Sequence, residues 1–252
     1  MSGHSHWAGI KHKKALVDAK RGKLWSKLAK AIIVAAKMGG GDPDANLRLR
    51  YAIDDAKAVS MPKENIQRAI KRGTGDLEGQ NLEEILYEGY GPGGVAVLCD
   101  VLTDNRNRTA PEVRKLFEIS DGKLGSAGCV AWMFEKKGLF LIGADKAEED
   151  ALMEIALEAG ADDVRRVEDK FEITCTPDVY QAVSAALSTA GIQPEVSEVG
   201  RMPKSTVDVA DPDVARKLLK LMNRLDDHED VQNVSANFNI PDAIMAQVDS
   251  EA

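Results

Sequence analysis

The residues best equipped for chemistry are cations near the amino-terminal end. Lys11, His12, Lys13 and Lys14 form one cluster, and Lys20, Lys23, Lys27, Lys30 and Lys37 follow at spacings of three, four, three and seven. At 100° per residue those five lysines share an arc of about 100° on one helix, roughly opposite a stripe of Leu24, Leu28, Ile32 and Ala35. Such a face offers point-charge contacts to phosphate, which give affinity and little base readout. The alternative is a solvated face. Trp7 and Trp25 are interleaved with the lysines and could stack on a base, although Trp25 flanks the apolar arc and can equally be core.

A second cationic pair, Arg106 and Arg108, lies in the run 104–108, between the end of an expected strand and the start of an expected helix. Two guanidinium groups there can hold a phosphate bidentately, or they can form an interdomain salt bridge; the sequence leaves both open.

Other motifs carry less. Gly89, Gly91 and Gly94 spell a G-x-G-x-x-G, but a dinucleotide site needs a strand before it and a helix after it. Here a strand follows and Pro92 interrupts, so the run reads as a structural turn. The four histidines, His4, His6, His12 and His228, have no serine or cysteine elbow to serve. His4 and His6 do not make a closed ligand set, so neither a metal nor a cofactor is expected. The acids of 226–230 are contiguous rather than spaced for a cation, and read as a solvated turn.

The 252-residue chain sets the frame for these groups. It has an ordinary apolar fraction of 44% and three scattered cysteines, which excludes a disulfide scaffold and a disordered chain. The longest apolar run, 31–36, is far short of the roughly 20 residues that span a bilayer, and no secretory signal is visible. A cytoplasmic protein without membrane partners is expected. The net charge of −8 is uneven. Residues 1–41 carry nine basic groups and one acid, Asp18, whereas everything after residue 80 is strongly acidic. A basic arm on an acidic body suits a polyanionic partner for the arm, DNA or RNA, while the body faces some other surface, such as a protein.

Three helices are expected before residue 80: one over about 14–38, one from Pro43 to about Val59, and a short one with Lys63, Arg68, Lys71 and Arg72 outward. Beyond residue 80 the period becomes two. Strands are expected at 94–103, 129–134 and 138–142, with a helix started by the capping pair Thr109 and Glu112. A repeat then organises the rest. The helix positions Val179, Val183, Ala186, Leu187 and Ala190 recur 35 residues later as Val214, Leu218, Leu221, Met222 and Leu225. Each set looks like the second half of a βαββαβ unit. The predicted fold class is therefore α+β: a basic helical domain over 1–80, then two ferredoxin-like units, one inserted in the other. The split unit comprises 81–135 plus 204–241, and the insert 136–203.

Four blocks together resemble a known family: residues 3–14, 38–43, 87–94 and 103–109 are similar to the long motifs of YebC-type proteins. Lys123 and Cys129 depart from the usual pattern. The resemblance implies three domains, cytoplasmic location and nucleic-acid binding. Bacterial members are described as probable DNA-binding transcriptional regulators and mitochondrial relatives as translational activators, with a ribosome-associated role argued for bacterial members too. The expected function is thus a non-enzymatic nucleic-acid-binding regulator of gene expression. The alternatives are a translation factor on ribosomal RNA and, behind it, an enzyme using Arg106 and Arg108 on a phosphorylated substrate.

Overall fold

A computed structural model describes residues 21–78, 81–167 and 169–250. Lys11, His12, Lys13, Lys14 and Lys20 lie outside the described residues, as do Trp7, His4 and His6.

Three helices come first: α1 (Arg21–Gly39), α2 (Leu47–Ala58) and α3 (Lys63–Thr74). Helix α1 ends where Gly40 turns to φ +86°, a conformation that costs glycine nothing. Helix α2 starts four residues later than Pro43 suggested, because the cap is Asn46. Its side-chain oxygen accepts from the Leu49 N–H, and its amide donates to the carbonyls of Ala35 and Gly40. One buried side chain thus closes α1 and opens α2. The three helices share a core of Ile32, Ala35, Leu49, Ile53, Ala56 and Ile66. Helix α3 crosses α1 so closely that a Cβ at Gly73 would lie 2.5 Å from the Ile33 carbonyl oxygen.

The α+β class holds, with two four-stranded sheets carrying the body. Strand β1 (Glu83–Tyr90) and strand β2 (Ala96–Thr103) form a hairpin through the turn Pro92–Gly94, so the glycine motif is a turn between strands. Helix α4 (Arg106–Glu118) follows, then the two-residue β3 (Lys123–Leu124). Strand β4 (Phe134–Gly143), helix α5 (Glu149–Glu158), strands β5 (Asp163–Val167) and β6 (Lys170–Cys175), helix α6 (Tyr180–Thr189) and strand β7 (Val196–Pro203) make the next run. Their antiparallel sheet has the order β5-β6-β4-β7. That is a complete ferredoxin-like βαββαβ arrangement, with a core of Phe140, Ile142, Leu152, Phe171, Ile173 and Val183.

The chain then returns through β8 (Val207–Asp208), α7 (Pro212–Asp226), β9 (Val231–Ala236), β10 (Phe238–Asn239) and α8 (Asp242–Ser250). Strand β9 pairs with β2, giving the order β3-β1-β2-β9. Strands β4 to β7, which form the other sheet, lie between β2 and β9 in sequence, and the places in the β3-β1-β2-β9 sheet are filled differently from the expectation. Residues 129–133 are a turn ending in a 3-10 helix (Ala131–Met133), not a strand. The strand begins at Phe134 and runs unbroken through Glu135 and Lys137 to Gly143, because β7 pairs along it from Phe134↔Pro203 to Leu141↔Val196. Nor does the strand at Val207 enter the sheet; it pairs in parallel with β10. The vacant place between β2 and β3 goes to β1, contributed from before the first helix of the unit.

Helix α4 begins at Arg106, four residues before the expected start after Thr109. Asn105 caps it through the Arg108 N–H. Pro111 therefore sits within the second turn, where it withholds one backbone donor, and Thr109 is freed for another use.

Candidate nucleic-acid interface

The lysine arc of α1 does not all face solvent. Val34 lies in the middle of that arc and is buried against Leu82 and Leu102 of the α/β body. Burying one apolar side chain in a polar stripe turns the stripe toward whatever covers it. Lys27 accordingly reaches the Asp226 backbone carbonyl and side chain, and Lys37 bonds to Asn81. The expectation of a shared solvent-facing surface is corrected for Lys27 and Lys30, which sit at the junction with the body, whereas Lys37 is exposed. Lys23, one end of the arc, is exposed.

The centre of the junction is Asp230, whose side chain is fully buried. Its Oδ1 accepts from Lys30 Nζ at 2.6 Å. Its Oδ2 accepts from Arg108 at 2.6 Å, Thr109 at 2.7 Å and Thr103 at 3.2 Å. Burial pushes this carboxyl upward, but the bonds from Lys30, Thr109 and Arg108 outweigh it and hold the group well below the usual carboxylate range. Lys30 also donates to the Glu229 carbonyl, and His228 bridges the Asp230 N–H to Glu112. The acidic turn 226–230 is therefore not simply solvated: it holds three cations, Lys27 and Lys30 from α1 and Arg108 from α4.

Arg106 and Arg108 separate. Arg108 forms a salt bridge, to Asp230 and more weakly Asp104, but within the split unit rather than between domains. Arg106 is exposed, and no hydrogen bond or ion pair ties it to another described residue. Trp25 is part of the helical core, and its ring N–H donates to the Val59 carbonyl at 3.3 Å.

The exposed positive charge of the described helices instead concentrates on α3. Lys63, Arg68, Lys71 and Arg72 are all exposed, and none makes an ion pair with another described residue. Arg68 and Arg72 line a groove between α1 and α3, whose floor includes Trp25, Ala29 and Ile33. Glu64 and Asp76 are the nearest acids in sequence. Helical spacing shows these four cations, but their number makes them easy to rank below the longer lysine series. Among the described residues no cluster of histidine, cysteine and acids could hold a metal, and no helix is long and apolar enough to cross a membrane.

Comparison with known proteins agrees with this architecture. Residues 5–76 match a family model described as the TACO1/YebC protein N-terminal domain, and residues 82–238 one described as the TACO1/YebC second and third domain. A probable transcriptional regulatory protein of Rhodopirellula baltica is 59% identical over 242 residues, 96% of this chain and 98% of that one. Another with the same description, from Syntrophobacter fumaroxidans, is 56% identical over 98% of this chain and 100% of its own. Among solved structures, a conserved hypothetical protein from Aquifex aeolicus superposes with a TM-score of 0.83 at 50% identity, covering 94% of this chain and 97% of that one. With both family models matched in order and relatives more than half identical along nearly its whole length, the chain belongs to the TACO1/YebC family.

Proposed function

We propose that this protein is a non-enzymatic, nucleic-acid-binding regulator of gene expression that holds a phosphate backbone with its helical leading domain. The observation that carries the reading is the set of uncommitted cations on α3, Lys63, Arg68, Lys71 and Arg72. Lys11, His12, Lys13, Lys14, Lys20, Lys23 and Arg106 extend the proposed contact set. Lys27, Lys30 and Arg108 are assigned to the junction instead. The descriptions of the relatives as probable transcriptional regulators support the same class. The acidic body repels phosphate and so orients the chain with its basic end inward, leaving the body for a protein surface.

The test is the salt dependence of binding. Each phosphate neutralised contributes about 0.7 to 0.9 to the slope of log K against log salt. The triple variant Arg68→Glu, Lys71→Glu, Arg72→Glu is expected to bind duplex DNA or ribosomal RNA more weakly, with a slope shallower by roughly two to three. Its melt should stay close to wild type, since the three side chains are exposed and Glu is a good helix former. Unchanged affinity and slope on both nucleic acids would remove the reading. A lysate gradient with and without RNase then separates the two targets: co-sedimentation with ribosomal particles selects a translation factor, and promoter binding without it selects transcription.

A further inference from the structure

The segment 125–133 is a surface loop built with unusual rigidity around one acid. Glu88, on β1, is buried. Its carboxylate accepts from the backbone N–H groups of Gly128 at 2.6 Å, Val130 at 2.9 Å and Ala131 at 2.7 Å. Three charge-assisted bonds from successive turns of one loop fix that loop as a unit. Its underside packs Val130 and Phe134 onto Ala96 and Leu98 of the sheet. On top, the outcome is an exposed aromatic pair. Trp132 is 65% exposed and Tyr90 40%. Both direct their polar edge to the same acceptor: the Trp132 ring N–H donates to the Cys129 carbonyl at 3.2 Å and the Tyr90 hydroxyl at 3.3 Å.

That arrangement decides what the pair can bind. The ring edges are already satisfied, so the surface they still offer is π-face. The rings are anchored, so little rotamer entropy is left to lose on binding. The loop residues Gly125, Ser126, Ala127 and Gly128 around them are small and exposed, rather than the contiguous apolar rim of a protein-docking patch. Two exposed lysines flank the pair. Lys123 stands opposite Tyr90 in the β1–β3 register, and the Lys204 backbone N–H donates to the Met133 carbonyl. Neither makes an ion pair with another described residue. Fixed aromatic faces with cations at their edge are complementary to unpaired bases and the phosphates between them.

We infer that Trp132 and Tyr90 form a base-stacking platform for single-stranded nucleic acid, with Lys123 and Lys204 contacting its backbone. The inference rests on the nucleic-acid reading above and adds a second site to it, on the body and remote in sequence from α3. A chain that grips a backbone with α3 and stacks unpaired bases at this loop would favour junctions between paired and unpaired strands.

The test uses the full-length protein and three 12-nucleotide probes: oligo(U), oligo(dT) and an abasic phosphodiester of the same length. Stacking on one aromatic residue corresponds to roughly 5- to 150-fold in affinity. Trp132→Ala should lose binding to an oligonucleotide by a factor in that range, and Trp132→Phe should restore most of it. Binding of the abasic strand should be the same in all three proteins. Lys123→Ala with Lys204→Ala should make the salt slope shallower by roughly 1.4, two single-strand contacts. A larger effect on oligo(U) than on oligo(dT) would identify RNA as the ligand, and the reverse DNA; either supports the platform. Equal losses on the base-bearing and abasic strands, or none on either, would overturn it while leaving binding through α3 intact. If wild-type protein bound no nucleic acid, duplex or single-stranded, both readings would fall together.

Discussion

Replacing Asp230 with Ala lowers the stability of the protein by about 3 kcal/mol at neutral pH, the low end for breaking a buried ion pair. The low end applies because the Lys30 and Arg108 side chains retain 17% and 38% exposure and can rehydrate once their partner is gone. Thr103 and Thr109 keep each other, at 2.8 Å between hydroxyl oxygens. For a chain of this size the shift in melting temperature is about 6–12 °C. The effect depends on pH in a stated direction. The unfolded carboxyl takes up its proton near pH 3.9, whereas the folded one resists it to much lower pH. The stabilisation is therefore full above about pH 5 and declines as the pH falls below about 4, where the unfolded state binds the proton first. The gap between melts of wild type and variant should narrow steadily from about pH 4 to pH 2.5. A gap that stays constant over that range would show that Asp230 acts through packing and not through its charge.

Gly73→Ala is expected to destabilise the helical domain by about 2 kcal/mol even though alanine is the better helix former. The propensity gain is about 1 kcal/mol. Against it, the added methyl would meet the Ile33 carbonyl oxygen at 2.5 Å and Ala36 Cβ at 2.6 Å. The first of these is backbone and cannot rotate away, so α1 and α3 must separate, at an overpacking cost of roughly 3 kcal/mol. Chemical denaturation followed by the Trp25 signal would read the change, because Trp25 packs in that core. A neutral or stabilising result would mean that the crossing of the two helices is looser than these distances imply. Gly73→Val should be worse than Gly73→Ala in the same assay.

The elements with strong periodicity were legible in the sequence. The 35-residue recurrence finds α6 and α7 because both bury the same face of a helix against a sheet. Strand β1 was not legible. Its sequence alternates only at Ile85 and Tyr87, and the third position on that face is Gly89, where the Phe117 ring and the Lys123 carbonyl leave no room for a side chain. A glycine chosen for close approach looks like a glycine chosen for a turn. The start of α4 was misplaced because Thr109 and Glu112 have the spacing of a capping box, whereas the residue that caps the helix is Asn105. At the candidate interface the charges were legible but their partners were not. Lys30 and Arg108 meet at Asp230 from positions far apart in the chain, and only Val34, one apolar residue inside a basic arc, marks that face as covered. Trp132 was hidden differently, inside a run whose β-branched and aromatic composition reads as a strand.

The way one sheet interrupts the other fixes an order of events during synthesis. Strand β2 finishes its sheet only by pairing with β9, Val97 against Ala236, and everything from β4 to β7 is translated between them. At roughly 5–20 residues per second that interval is on the order of ten seconds. The interrupting sheet has all four of its strands well before the interrupted one has its last, so it is the first of the two able to close. Once closed, it holds Phe134 beside Pro203, and the long intervening stretch then counts as almost no loop at all when β9 searches for β2. Nascent chains arrested short of Val231 should accordingly resist protease over 134–203 while remaining cleavable in the β1–β2 hairpin. The late-arriving strand is also the one that follows Asp230, so the junction between the basic helices and the body is among the last contacts the chain can make.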